Sequence, residues 1–482
     1  MMRFRRLIGM TAALALLSAC GGGGSGTSAP TPTPTPTPIP TPTPSPTAGC
    51  ALRDRQDWAA AQMREWYLFP ETLPASLDPA AYSTLGDYVD ALTATARGQR
   101  RDRYFTYVTS IAEENAYYNA GSSAGFGFRL ATDSAQRRIF VIEAFENAPA
   151  LFAGIDRGAE ILAIGTSASD MRTVADIAAA SGLDGVSNAL GPDDVGVTRR
   201  LRINDATGVH EVNVTKADFT LLPVSTRYGA KIIDDGGRRV GYINLRTFIT
   251  PAETPLRNAF AMFRDQGITE VVIDLRYNGG GLLSTAAVMA NLMGKNRFSS
   301  DVFSYITYRS EKSSENSTYS FIPQSESIAP TRIAFIGGGG TASASELLIN
   351  GFVPYLDTAV GLIGSNTYGK PVGQIALDRP QCDDRLRAVA FSVQNSLRSS
   401  AYFDGLAGTV KASCRSDDDI GHALGDPQEA STRQALDFLA GRSCTPIASG
   451  PSVTGQSLKE SVRKLVSPLR PSTIQREVPG SF

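Results

Sequence analysis

Residues 332–348 read Arg332-Ile333-Ala334-Phe335-Ile336-Gly337-Gly338-Gly339-Gly340-Thr341-Ala342-Ser343-Ala344-Ser345-Glu346-Leu347-Leu348. The apolar run from Arg332 to Ile336 predicts a buried strand, Gly337 to Gly340 a flexible turn, and Ser343 to Leu348 the start of a helix. A buried strand running through a glycine turn into a helix is the repeating unit of an α/β core with a partly parallel sheet. A serine at a helix N-terminus faces unpaired N–H groups and the positive end of the helix dipole, a setting suited to a developing oxyanion.

The same texture continues on both sides. Val240 to Leu245, Glu270 to Leu275 and Val360 to Ile363 are further apolar runs separated by helical stretches. Upstream, Asp274-Leu275-Arg276-Tyr277-Asn278-Gly279-Gly280-Gly281 ends a strand in a glycine turn, a second source of free N–H groups. Downstream, Gly364-Ser365-Asn366-Thr367-Tyr368-Gly369-Lys370-Pro371-Val372-Gly373-Gln374 sets a lysine among apolar and aromatic neighbours with no adjacent acid. Two other serine patterns carry less. Gly121-Ser122-Ser123-Ala124-Gly125 matches GxSxG but is followed by strand-like sequence, where a nucleophile elbow requires a helix. Ser461-Val462-Arg463-Lys464 matches SxxK in a polar tail with no Lys-Thr-Gly after it.

Gly125-Phe126-Gly127-Phe128 opens a strand, Ile139 to Phe145 is another, and Asn147-Ala148-Pro149-Ala150 leads into a short helix before Arg157-Gly158-Ala159-Glu160-Ile161-Leu162-Ala163-Ile164-Gly165. This order resembles a PDZ module, with Ala159-Glu160 in place of the usual Asp-containing step. The resemblance makes Gly125, Phe126, Gly127 and Phe128 a carboxylate loop, whose N–H groups converge on a peptide end that adds as an extra strand. Asp54 to Phe69 and Leu85 to Ala96 predict amphipathic helices, with Trp58, Trp66 and Leu68 as core.

The front of the chain is an address and a tether. Arg3, Arg5 and Arg6 precede the apolar run Leu7 to Leu17, the pattern of a secretory signal, and Leu17-Ser18-Ala19-Cys20 resembles a bacterial lipoprotein cleavage box. That resemblance implies lipidation of Cys20 and a membrane anchor. Gly21 to Ser28 is Gly/Ser-rich, and Pro30 to Pro46 has proline at every second position. Such a stretch extends as polyproline II at about 3.1 Å per residue, roughly 50 Å of stalk. The absence of an aspartate after Cys20 favours the outer membrane, by resemblance to other lipoproteins, with the body facing the periplasm.

The 482 residues hold 46 Lys plus Arg against 47 Asp plus Glu, a net charge of −1 that argues against nucleic-acid binding. Only 2 His and 5 Cys are present, so metal sites are disfavoured and no cofactor is called for. His210 and His422 sit in a strand-like run and a polar segment, with no local motif to make either a base. Beside Cys20, the cysteines Cys50, Cys382, Cys414 and Cys444 are an even set for disulfides with three possible connectivities; Cys382 with Cys414 and Cys50 with Cys444 is the pairing favoured, each closing one region.

The three segments around Asp274, Ser343 and Lys370 together resemble the C-terminal processing peptidases, the tail-specific Ser/Lys proteases. Their signatures are Asp-Leu-Arg-x-Asn-x-Gly-Gly, Ser-Ala-Ser-Glu and Thr-(Phe/Tyr)-Gly-Lys-x-x-x-Gln, here in family order after a PDZ-like module. The departure is Gly279, where the family usually has proline. The resemblance implies a multi-domain α+β chain with a ClpP/crotonase-like core. It divides into a signal peptide (1–19), lipidated Cys20 and tether (20–49), helical domain (50–119), PDZ-like domain (120–222), protease core (223–445) and irregular tail (446–482). It also implies Ser343 as nucleophile, with Ser345 as rival, Lys370 as base, Gln374 orienting the amine, and the backbone N–H groups of Gly280 and Ala344 as oxyanion hole. Expected partners are protein or peptide substrates with free C-termini. The alternative is a catalytically silent peptide-binding lipoprotein on the same scaffold. The base must be neutral to accept a proton, so Lys370 must sit well below the ordinary lysine range.

Overall fold

Parallel strands are covered on both faces, so their side chains must be apolar in both directions. The computed structural model describes residues 48–133, 137–448 and 463–482, and its central sheet has this character; the signal segment, Cys20 and the proline-rich tether lie outside the described residues. Six strands run in the order Ala230–Asp235, Arg238–Asn244, Glu270–Asp274, Arg332–Gly337, Val360–Gly364, Ala412–Arg415. The first pair is antiparallel and the rest are parallel.

Alternation divides the sheet residues between two cores. Val271, Ile273, Ile333, Phe335, Val360 and Leu362 pack with the helices Glu253–Asp265, Leu283–Leu292 and Ala344–Leu356. Val272, Ala334, Ile336 and Ile363 meet Leu436, Phe438 and Leu439 of the helix Ala430–Leu439. Every predicted core strand is present within two residues of its expected bounds.

A second sheet joins Tyr107–Ser110, Asp384–Gln394, Val302–Tyr308 and Ser317–Ser320, with Val372–Arg379 also paired to Asp384–Gln394. The N-terminal helices lean on this sheet. The predicted helices form as Leu52–Trp66, Leu85–Leu92 and Ala94–Gly98, the last two divided at Thr93. Met63, Tyr67, Phe69, Leu85 and Val89 share one cluster with Val372, Leu386, Ala388 and Val389, so this region does not close on itself. Trp58 and Trp66 are half-buried, and the predicted aromatic core falls instead on Tyr67 and Phe69.

Between them lies an antiparallel sheet, Phe128–Asp133, Arg138–Ala144, Glu160–Gly165, Thr198–Asp205, Gly208–Thr215, covered by the helix Val174–Leu190. His210 lies on its last strand. Ser122–Gly125 is a strand paired with Ala217–Thr220, so the GxSxG match is not an elbow.

Two expectations are corrected. The disulfides join Cys50 to Cys382 and Cys414 to Cys444, with Cα–Cα separations of 5.5 and 5.4 Å. Cys50 opens a helix whose Arg55 pairs with Asp384, which brings it beside Cys382. Cys414 lies on the edge strand, and the chain returns along it, Arg415 N–H donating to Thr445 O at 2.7 Å. The tail expected to be irregular is ordered from Arg463: Lys464–Leu465 pairs with Thr132 and Ala131, and Thr473–Glu477 is a short helix.

Candidate active site

The strand Arg332–Gly337 delivers the chain into a turn stitched to the Asp274–Gly281 segment. Thr341 Oγ1 donates to Leu275 O at 2.8 Å, and Ala342 N–H donates to Asn278 O at 3.1 Å. Ser343 follows with φ 55° and ψ −115°, a left-handed conformation rare for a residue with a side chain. Such strain costs about 1–3 kcal/mol and persists only where neighbours over-determine it. Here the buried Glu346 carboxylate does so, accepting Ser343 N–H on Oε2 at 3.1 Å. Ala344 begins the helix, so its N–H has no intrahelical acceptor. Ser345 is fully buried and its hydroxyl donates to Asn278 O at 3.0 Å.

Gly280 lies directly over this turn. At φ 125°, a Cβ placed on it would stand 2.8 Å from Ser343 Cβ and 3.1 Å from Ala344 N. No side chain fits there. The Gly280 N–H, expected to be free, donates to Asn278 Oδ1 at 2.9 Å. The turn is fixed from below by Asp274, which accepts Tyr242 OH at 2.7 Å and pairs with Arg276, itself 2.7 Å from Glu429. Tyr277 donates to Asp418, which Arg157 of the neighbouring sheet module holds at 3.1 Å.

Lys370 ends the loop after Gly364 and precedes the strand Val372–Arg379. Its backbone N–H reaches Glu346 Oε2 at 2.7 Å, and Gly369 N–H reaches Oε1 at 2.7 Å. Nζ donates to Gln374 Oε1 at 2.9 Å and lies 5.2 Å from the Phe105 ring centroid. Among the described residues it has no ion pair. Burial pushes its pKa below the ordinary lysine value, with Glu477 opposing and Arg476 assisting. Glu346, fully buried, is pushed up by burial and held down in part by Thr367 and the three backbone donors.

The structure thus brings Ser343, Ala344 and Gly280 to one point, and Glu346 ties the Ser343 turn to the loop carrying Lys370, whose amine bonds Gln374. Gly127, of the expected carboxylate loop, lies elsewhere, on the sheet module, where its N–H donates to Phe482 O at 2.8 Å. Phe126 and Phe128 are core residues of that module, and a Cβ on Gly125 would stand 3.0 Å from Phe482 C. A cleft of about 1650 Å³ runs past Phe105, Tyr277, Gly279 and Lys370. Among the described residues no cluster of His, Cys, Asp and Glu could hold a metal ion. His422 pairs with Asp419 at 2.6 Å on the surface.

Sequence reading gave no role to Glu346, Asn278 or Phe105. A serine three residues before a glutamate is the capping-box pattern and points to Glu346. Nothing local points to Phe105, which reaches Lys370 from the far end of the chain.

The chain is similar to known peptidases in sequence and in fold. The pattern of peptidase family S41 matches residues 239–398, and that of the peptidase S41 N-terminal domain matches residues 54–107. A carboxyl-terminal-processing protease of Picosynechococcus is 26% identical over 321 residues, 66% of this chain and 70% of that protein. One from Synechocystis is 26% identical over 253 residues, 52% of this chain and 53% of its own length. A crystal structure of an S41 protease from Bacteroides fragilis shares the fold, with a TM-score of 0.63 at 22% identity, covering 80% of this chain and 97% of that one.

Proposed function

The chain belongs to the peptidase S41 family of serine-type peptidases, and from that premise we propose that it processes protein substrates at their C-terminal ends through a Ser343/Lys370 dyad. Neutral Lys370 Nζ takes the proton of Ser343 Oγ as the oxygen attacks a peptide carbonyl carbon. The tetrahedral oxyanion is held by the N–H groups of Ala344 and, once turned from Asn278, Gly280. Collapse breaks the C–N bond, Lys370 returns its proton to the leaving amine, and water hydrolyses the acyl-enzyme by the same route. Gln374 Oε1 orients the amine.

The observation that carries this reading is Lys370 itself: a lysine whose amine, partly buried, meets a neutral amide oxygen and an aromatic face in place of a carboxylate. Residues 120–222 serve as the peptide-docking module of PDZ type, with Gly125 to Phe128 receiving the peptide end, and residues 223–445 as the catalytic core. Lipidation of Cys20 holds the body at a membrane, facing the periplasm.

Cleavage of an unstructured reporter with an apolar C-terminus tests the dyad. Ser343→Ala abolishes turnover and Lys370→Ala lowers it by about 10²–10⁴-fold. A serine-directed phosphonate labels the parent on Ser343. Turnover retained in Ser343→Ala would remove the assignment.

A further inference from the structure

The segment Arg463–Phe482 returns to the docking strand and the catalytic turn together. Its two ends lie along one strand edge. Lys464 and Leu465 pair with Thr132 and Ala131, and Val466 N–H donates to Leu130 O at 3.0 Å. Then Leu130 N–H donates to Gly480 O at 2.8 Å, Phe482 N–H to Phe128 O at 3.0 Å, and Gly127 N–H to Phe482 O at 2.8 Å. This is strand addition to a sheet edge, in which main-chain bonds hold the peptide and a pocket selects its side chain. The pocket is filled by Phe482, 5% exposed among Phe126, Phe128, Val186 and Leu190.

Between these ends the segment forms part of the cleft wall. Thr473–Glu477 forms a helical turn whose Gln475 bonds Asp193 at 2.8 Å and whose Arg476 guanidinium lies 3.8 Å from the Tyr107 ring centroid. Glu477 O accepts Gly279 N–H at 2.8 Å, next to the Gly280 that covers Ser343. Glu477 is buried, its carboxylate bonded by Tyr118 OH at 3.0 Å and its charge felt by Lys370. Glu477 O is committed to Gly279 N–H, and a peptide presents a carbonyl to a nucleophile in extended form, so this helical turn walls the cleft without lying as a substrate.

Gly279 makes the close approach possible. A Cβ there would stand 2.3 Å from Arg476 O, and a proline would also lack the N–H that Glu477 O accepts. This is the position at which the chain departs from the proline of the family signature.

We propose that residues 467–482 are a tethered occupant of the docking groove that also walls the cleft beside Lys370, and that substrates enter by displacing it. The groove therefore selects peptides of the kind the segment itself presents, an aromatic residue after small ones, as in Gly480-Ser481-Phe482. The inference rests on the peptidase reading for the cleft but not for the groove.

The test compares the full chain with Gly279→Pro, which expels the segment at the turn, and Phe482→Asp, which removes its anchor. In a Ser343→Ala background, a labelled heptapeptide of residues 476–482 should bind at least 10-fold more tightly to either variant than to the unsubstituted tail. With Ser343 restored, kcat/KM on the reporter should rise at least 10-fold. Hydrogen exchange guards against misfolding: saturating heptapeptide added to Ser343→Ala should speed exchange across residues 464–482. Unchanged heptapeptide affinity in both variants, or tail amides that stay protected with peptide bound, would overturn the proposal. So would an active parent whose kcat/KM neither variant raises. Gains in binding with no turnover in any protein would keep the tethered segment and remove the peptidase reading.

Discussion

The backbone N–H groups of Ser343 and Lys370 converge on a single oxygen, Glu346 Oε2, at 3.1 and 2.7 Å. With Gly369 N–H on Oε1, one buried carboxylate holds the serine turn and the lysine loop in a fixed relation. Glu346→Gln replaces one acceptor oxygen with an amide that can only donate, so at least one N–H loses its partner. Leaving a buried donor unsatisfied costs about 1–3 kcal/mol. We expect kcat to fall about 100-fold with little change in KM, since small misplacement of reacting groups has that effect. Steady-state kinetics beside a thermal melt reads both. Unchanged kcat would mean the carboxylate serves folding alone.

Lys370 sets the pH dependence. The neutral amine is the working form, so kcat/KM rises as pH passes upward through its ionisation. Burial disfavours the ammonium and moves that limb below the ordinary lysine value of 10.5. Glu477 favours the ammonium and Arg476 opposes it. Glu477→Gln should therefore shift the rising limb to lower pH and Arg476→Gln to higher pH, because kcat/KM reports the free enzyme. A limb that neither substitution moves would place the titrating group elsewhere.

Ser345 distinguishes the two serines of the motif. Its hydroxyl is buried and committed to Asn278 O, a structural bond. Ser345→Ala should cost about 0.5–1.5 kcal/mol of stability while retaining phosphonate labelling and turnover. Loss of labelling would exchange the roles of Ser343 and Ser345.

Gly369 tests the lysine loop without touching a reacting group. It has φ 89°, and an added Cβ would meet Phe403 O at 2.3 Å. Gly369→Ala must displace the Lys370 backbone from Glu346. The expected result is a loss of kcat on the scale of Glu346→Gln, with the two changes less than additive when combined.

The Cys50–Cys382 bridge closes a loop of 332 residues. Cys50→Ser with Cys382→Ser should lower stability by about 2–4 kcal/mol, read as a lower melting temperature. The Cys414–Cys444 pair, with a separation of 30, encloses a far shorter loop and should cost less. Equal losses would point to strain relief or denatured-state structure instead.

The parts of this molecule readable from sequence are those whose information is local. Ile333 to Ile336 is apolar on every residue because both faces of its strand are covered, and no partner need be known to see it. Ser343 and Lys370 were legible for a related reason, since each sits in a glycine-marked turn of fixed composition. Phe105 and Asn278 were not, because their roles exist only once distant segments meet. The cysteines show the same limit: four residues and three connectivities leave the choice to topology, and Cys50 meets Cys382 where the first helix packs on the strand Asp384–Gln394. Gly279 read as a matter of loop stiffness until Arg476 and Glu477 were seen against it.

The N-terminal helices rest on strands made late in synthesis. Arg55 and Asp384 are 329 positions apart, and Met63, Tyr67 and Val89 share their core with Val372, Leu386 and their neighbours. At about 5–20 residues per second, roughly 15–65 s separate the appearance of the first helix from that of its support. Throughout that interval the part of its apolar face that meets those strands is uncovered. A chain cut before residue 372 would lack the strands that complete this core, and the apolar surface they cover would face water.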